Sequence, residues 1–160
     1  MDLAELEHRL KRMEDIEAVK RLKALYYDVC DDNHNPDRIG ELYAEHGSWQ
    51  GAGFSATGRA EIRELFASFQ GVVSETQHAG VNPVIDVDGD RATGVWYTLA
   101  VFNFHESGQR QLMAARYDDT YVRVNGEWKL EHLHSQLRVS IDLAQGISPL
   151  PEWARTTATR

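Results

Sequence analysis

The chain has 160 residues, 42% hydrophobic and 26% charged, an ordinary globular balance that suits one domain with its own core. Lys and Arg number 17 against 25 Asp and Glu, a formal net charge of −8 with no basic run, which argues against nucleic acid or an anionic membrane surface as partner. A single cysteine, Cys30, excludes an intrachain disulfide and any cysteine-rich metal site.

Residues 2 to 31 place Leu3, Leu6, Leu10, Met13, Ile16, Val19, Leu22, Leu25 and Tyr26 at steps of three and four, which predicts one long amphipathic helix. Asn33, Asn35 and Pro36 stop it. A second helix over about residues 36 to 45 buries Ile39, Leu42 and Tyr43. A short strand at Ser48-Trp49-Gln50 and the flexible Gly51-Ala52-Gly53 follow. Thr57 is placed to cap a third helix ending near Phe69.

The period then changes. Val81–Val87, Thr93–Phe104, Leu112–Val124 and Trp128–Leu143 are rich in β-branched and aromatic residues and read as strands. Asp88-Gly89, Ser107-Gly108 and Asn125-Gly126 separate them as hairpin turns. Helices followed by an antiparallel meander make an α+β domain over residues 1–147, with a loosely ordered tail at 148–160. The charged first thirty residues do not resemble a signal or transit peptide. The longest apolar stretch, Val95–Phe104, is interrupted by Thr98 and Asn103 and falls short of the roughly 18 residues of a membrane helix. A soluble, cytoplasmic protein is expected.

Several chemistries are unsupported. Asp86-Val87-Asp88-Gly89-Asp90 lacks the glycine and glutamate that a calcium loop starting at Asp86 needs, since Arg91 and Tyr97 occupy those places. His132 and His134 face one side of a strand but have no third zinc ligand nearby in sequence. Cys30 adjoins Asp31 and Asp32, whose charge disfavours a thiolate. There is no Gly-x-Ser-x-Gly elbow, phosphate loop or dinucleotide fingerprint. No metal and no cofactor are expected. What remains is a set of polar residues in apolar contexts: Tyr26, Tyr27, Asp31 and Asp32 at the end of the first helix, His78, and Arg116 and Arg138 in strands. A His held by a carboxylate through one ring nitrogen acts as a base at the other, and a nearby phenol can bond a carbonyl or oxyanion.

Met13-Glu14-Asp15-Ile16-Glu17-Ala18-Val19-Lys20-Arg21-Leu22-Lys23-Ala24-Leu25-Tyr26, with Asp31 five residues on, resembles the opening of SnoaL-like proteins of the nuclear transport factor 2 (NTF2)-like superfamily. The likeness continues in His78-Ala79-Gly80-Val81-Asn82-Pro83, Ala92-Thr93-Gly94-Val95-Trp96-Tyr97, Arg116-Tyr117-Asp118-Asp119-Thr120-Tyr121 and Asn125-Gly126-Glu127-Trp128-Lys129-Leu130. Within that superfamily the chain looks most like bile-acid dehydratases, then scytalone dehydratase and hexachlorocyclohexane dehydrochlorinase. The resemblance implies a cone of N-terminal helices packed on a curved antiparallel sheet, enclosing a cavity for cofactor-independent proton chemistry. Carried over by position, His78 is the base, Asp31 orients it and Tyr26 assists, with Asp32 and Tyr27 as the alternative register. Bile-acid dehydratases carry a further acid where Ala100 stands here, and Arg138 matches a pocket arginine one residue out of register.

These expectations converge on a lyase, dehydratase-like or formaldehyde-eliminating, acting on a hydrophobic hydroxylated molecule, steroid-like or aromatic. Arg138, Trp49, Phe54, Thr98 and Phe102 are its expected substrate-binding residues, and Trp96 is either a further wall or plain core. An isomerase or cyclase using the same base, and a non-catalytic binding or assembly module, are the competing readings. A homodimer or homotrimer is expected, the helix offering an extra apolar stripe from Leu3 to Met13.

Overall fold

The computed structural model describes residues 2–145; the tail expected from residue 148, and the domain end at 147, lie outside them. The first helix, α1 (Leu3–Asp31), opens on Asp2, whose side chain accepts the Glu5 N–H at 2.8 Å and satisfies one of the free donors of the first turn. Its first half stands clear of the domain, with Leu3, Leu6, Leu10 and Met13 all at least half exposed. Burial begins at Asp15, which accepts bonds from Lys11, Arg123 and the Trp128 indole and fastens the middle of the helix to the sheet. Beyond it Val19, Leu22, Lys23, Tyr26, Tyr27 and Cys30 all face inward.

Asn33 and His34, both with φ near +50°, reverse the chain at the end of α1. Asn35 then caps α2 (Pro36–Leu42) by accepting the Asp37 and Arg38 N–H groups, with Pro36 at the position where a missing N–H costs nothing. α2 ends three residues earlier than expected because the backbone at Tyr43 turns extended and enters β1 (Tyr43–Gly51). β2 (Phe54–Thr57) folds back on β1 and leads into α3 (Gly58–Phe69). Thr57 occupies the capping position, but its side chain makes no capping bond; its N–H donates instead to Glu61 Oε2 at 2.9 Å.

Four long strands follow: β3 (Val73–Asp88), β4 (Arg91–Phe104), β5 (Arg110–Val124) and β6 (Glu127–Asp142). Their hairpins turn at Gly89, Gly108 and Asn125-Gly126, all with positive φ, which is why those residues mark the turns in the sequence. β3 begins eight residues before the expected Val81. Val73–Gly80 carries little apolar periodicity, but Thr76, His78 and Gly80 pair across to Phe102, Ala100 and Thr98, so the partner strand makes it extended. Asn82 and Pro83 fall at an irregularity in this edge strand, where a residue without an N–H is tolerated.

The sheet corrects the expected architecture. Its order is β2-β1-β6-β5-β4-β3, so it is an open six-stranded sheet with β2 and β3 as free edges; it neither closes nor curves strongly into a cone. Nor is it wholly antiparallel, because β1 runs parallel to β6. Short hairpins oblige β3 to β6 to alternate in direction, whereas β1 and β6 are joined through most of the chain and that long connection permits a parallel pair. The helices cover one face, where Tyr43, Trp96, Tyr117, Tyr121, Trp128, Leu130 and Leu133 form the buried core with α1 and α3.

Candidate active site

Between the helices and the inner face of the sheet lies a cavity of about 370 Å³, at the small end of the range for ligand sites, roughly 300–1,000 Å³. Strand alternation builds one wall: Thr98, Ala100 and Phe102 of β4 point into it, and Met113, Ala115, Ser135 and Leu137 extend it across β5 and β6. Trp49, Phe54, Phe66 and Phe69 close the opposite side, their rings meeting edge-on at 5.7–6.2 Å.

His78 enters this apolar space from β3, directly across from Ala100. Its side chain is almost entirely buried, and its Nδ1 lies 2.6 Å from Asp31 Oδ1. The last turn of α1 positions Asp31 against β3, where the carboxylate also accepts the His78 backbone N–H at 2.9 Å and the Thr76 hydroxyl at 2.9 Å. Burial pushes the Asp31 carboxyl up, but the bonds from the His78 ring, its backbone and Thr76 outweigh that and hold it below the usual carboxylate range. An ionised Asp31 accepts the hydrogen bond of Nδ1–H, a tautomer that leaves a lone pair on Nε2, and no group among the described residues bonds Nε2. Asp31 itself does not line the cavity.

The structure places the two candidate acids and the two candidate phenols differently. Asp32 is on the surface, paired with Arg38 at 2.8 Å, while Asp31 meets the imidazole. Tyr27 is the phenol that touches His78, its ring stacked at 5.7 Å and 14°, with its hydroxyl 2.6 Å from Thr98 Oγ1. Tyr26 lines the cavity, and its hydroxyl accepts the Trp49 indole N–H at 2.9 Å. Phe102 holds the other side of the His78 ring edge-on at 5.3 Å.

Trp49, Phe54, Thr98 and Phe102 all line the cavity. Arg138 does not. It is the extra residue of an irregularity in the β5–β6 pairing, exposed and bonded to Gln136 Oε1 at 3.1 Å. Trp96 belongs to the core, donating to the Tyr121 hydroxyl at 3.0 Å. Cys30 lines the cavity with its thiol pushed up to about 12 by burial, which leaves it a poor nucleophile. His132 bonds Ser48 through Nδ1, and among the described residues no group of three or more His, Cys, Asp or Glu is arranged to hold a metal ion. No helix of the described residues is long and apolar enough to cross a membrane.

Two features of the site have little or no mark in the sequence. Lys23 lies beneath the cavity, fully buried, 2.7 Å from Asp119 and 3.9–5.1 Å from the ring centres of Tyr26, Tyr27 and Tyr117. Its place among Val19, Tyr26 and Cys30 on the buried face of α1 is the one available signal. His34 is the second imidazole of the cavity, and burial pushes it down to about 4, with the nearby His78 adding to the effect. No sequence signal marks it.

Comparison with known proteins gives this geometry a family context. The sequence model of the family described as SnoaL-like domain matches residues 11–134. Hexachlorocyclohexane dehydrochlorinase 1 of Sphingobium indicum is 35% identical over 71 residues, 44% of this chain and 46% of that protein, so the match spans under half of the curated relative's length. The crystal structure of a hexachlorocyclohexane dehydrochlorinase (LinA) of type 2 superposes with a TM-score of 0.80 at 24% identity, covering 90% of this chain and 98% of that one. A scytalone dehydratase-like protein of Novosphingobium aromaticivorans gives 0.74 at 23% identity, covering 81% and 88%. At such identities the two structures speak for the fold.

Proposed function

We propose, for a chain that belongs to the SnoaL-like domain family, a lyase reaction in which His78 removes a proton from a compact hydrophobic molecule held in the cavity. One observation carries this reading: the 2.6 Å contact of His78 Nδ1 with Asp31, which leaves Nε2 open as a proton acceptor in a mostly apolar pocket. His78 Nε2 takes a proton from the carbon next to the leaving group. The electron pair of that C–H bond becomes the new C=C bond, and the C–O bond breaks with its pair going to oxygen. The imidazolium, stabilised by Asp31, returns the proton to the departing hydroxide, which leaves as water. The residues of the chain complete this cycle with no electron transferred.

The substrate class follows from the lining: a hydroxylated aromatic or steroid-like molecule small enough for about 370 Å³. With Ala100 beside His78 on the neighbouring strand, no second acid stands there to protonate a poor leaving group. That favours proton return by His78 itself, or a leaving group needing no proton, as the name dehydrochlorinase indicates for the Sphingobium relative. Elimination of formaldehyde from a hydroxymethyl group is the carbon–carbon variant: His78 takes the hydroxyl proton, the O–H pair becomes the C=O of formaldehyde, the C–C bond breaks with its pair staying on the other carbon, and His78 returns the proton to that carbon. The same Ala100 supports isomerisation as a second reading, in which His78 delivers the proton to another carbon.

Self-association belongs to this proposal. The face of the sheet away from the helices exposes Val81, Val84, Tyr97, Leu99, Val139 and Ile141, each 39–61% exposed, on adjacent strands. Together with the bare stripe of α1, that area supports a homodimer or homotrimer.

The test is mass spectrometry of the protein and its His78→Ala variant in deuterated buffer, with hydroxysteroids, hydroxyketones and lignin-type diaryl alcohols. Loss of water or formaldehyde that vanishes in the variant is the expected result. Deuterium uptake without mass loss would replace the lyase by the isomerase. Turnover that survives in His78→Ala would overturn the assignment of the base.

A further inference from the structure

His34 is 6% exposed and lines the cavity, yet among the described residues no group hydrogen-bonds either of its ring nitrogens. Other polar side chains of the wall are engaged. His78 bonds Asp31, Tyr26 accepts from Trp49, Thr98 shares a bond with Tyr27, and Ser68 donates to the Leu65 carbonyl. Buried polar groups in folded proteins are nearly always bonded, so an imidazole left open toward a cavity asks for a partner from inside it.

The fold also fixes where this ring points. The His34 N–H donates to Cys30 O at 3.1 Å and the Asn35 N–H to Val29 O at 3.2 Å, locking the reversal at the end of α1. Phe66 and Phe69 hold the ring at 5.8 and 5.5 Å. Phenylalanine would fill that niche without an unbonded polar atom, so ring packing does not call for histidine, although the φ of +50° at residue 34 suits histidine better than a bulky apolar residue. A neutral imidazole carries one N–H and one lone pair. His78, with its proton on Nδ1 toward Asp31, offers the cavity only a lone pair.

We infer that His34 is a ligand-binding residue, a neutral hydrogen-bond donor that seats an acceptor oxygen of a compact, otherwise apolar molecule. The ligand class is thus a cyclic or aromatic compound with a carbonyl or ether oxygen, oriented between the donor His34 and the acceptor His78. This assignment rests on the cavity alone and holds whether or not His78 performs the lyase step.

The experiment uses two shape-matched probes, 1-indanone and indane, which differ by the carbonyl oxygen. Their dissociation constants are measured by NMR titration against the full chain and His34→Phe. Wild type is expected to prefer 1-indanone about tenfold, the worth of one good hydrogen bond, with the preference lost in His34→Phe. In wild type, independent of any variant's folding, the His34 ring nitrogens shift with 1-indanone and not with indane. Equal affinities, no binding of 1-indanone, unmoved His34 nitrogens, or a preference kept in His34→Phe would each overturn the inference. A protein that turns over no substrate yet loses its preference in His34→Phe would sink the lyase reading and leave this one standing.

Discussion

The Tyr27 ring occupies the space that a side chain at Gly80 would fill: a Cβ built there runs into Tyr27 Cε2, with Cζ at 3.0 Å and the hydroxyl oxygen at 3.1 Å. Because Gly80 lies two residues beyond His78 on the same face of β3, its bareness lets α1 approach closely enough for Tyr27 to stack on the imidazole. The His78 imidazole is therefore seated by a missing side chain as much as by Asp31.

Gly80→Ala should displace Tyr27, break its 2.6 Å contact with Thr98 and lower stability by about 1–3 kcal/mol, the usual range for overpacking. Urea denaturation measures the loss. A fully stable variant with an unmoved Tyr27 ring in its NMR spectrum would show that α1 yields freely.

Asp31→Asn preserves shape but removes the negative charge that faces His78 Nδ1. Turnover is expected to fall about 10²- to 10⁴-fold, the range over which positioned acid–base groups act. Since Asp31 does not line the cavity, KM should change little while kcat carries the loss. A variant whose defect lies mainly in KM would argue for a structural role.

Lys23 and Asp119 are both fully buried, and Asp119 Oδ1 has no partner among the described residues. Burial drives the Lys23 ammonium down and the Asp119 carboxyl up, each opposed by its partner's charge. Lys23→Met alone leaves a carboxylate without its cation and should destabilise by about 3–5 kcal/mol. Adding Asp119→Leu should recover most of this. Equal stabilities for the single and double variants, by urea denaturation, would refute the coupling.

The His34 imidazole sits at about 4 when folded against its ordinary 6.5, so between those values the unfolded chain binds a proton that the folded chain refuses. Stability from this residue is complete above about pH 6.5 and drains away as pH falls toward 4. Comparing wild type with His34→Phe at pH 7 and pH 4.5, the variant should gain about 2 kcal/mol relative to wild type on acidification. Parallel pH profiles would mean the ring reaches water.

Leu99→Asp puts a charge in the middle of the exposed apolar face of the sheet while touching none of the cavity. Light scattering after size exclusion should show an oligomer for wild type and a smaller species for the variant, with folding stability changed by no more than about 0.5 kcal/mol. A monomeric wild type would remove self-association from the proposal.

Local rules make much of this protein legible in its amino-acid order. The helix over residues 3–31, its stop at Asn33 to Pro36 and the turns at Gly89, Gly108 and Asn125-Gly126 depend on spacing and backbone freedom within a few residues. The motif around Asp31 and His78 is legible too, by resemblance, and the family match over residues 11–134 agrees with that resemblance.

What depends on distant pairing is not legible in this way. Val73–Gly80 is a strand because β4 lies beside it, and β1 runs parallel to β6 across a connection no local pattern reports. Whether Tyr26 or Tyr27 touches His78 is a matter of how α1 is rotated against β3, which Gly80 decides; Arg138 leaves the cavity wall because of an irregularity opposite Ala114 and Ala115. The open nitrogens of His34 and the enclosure of Lys23 exist only once several elements have met. Periodicity fixes which face of an element is apolar, but a site is made of faces brought together, and only tertiary packing sets which ones meet.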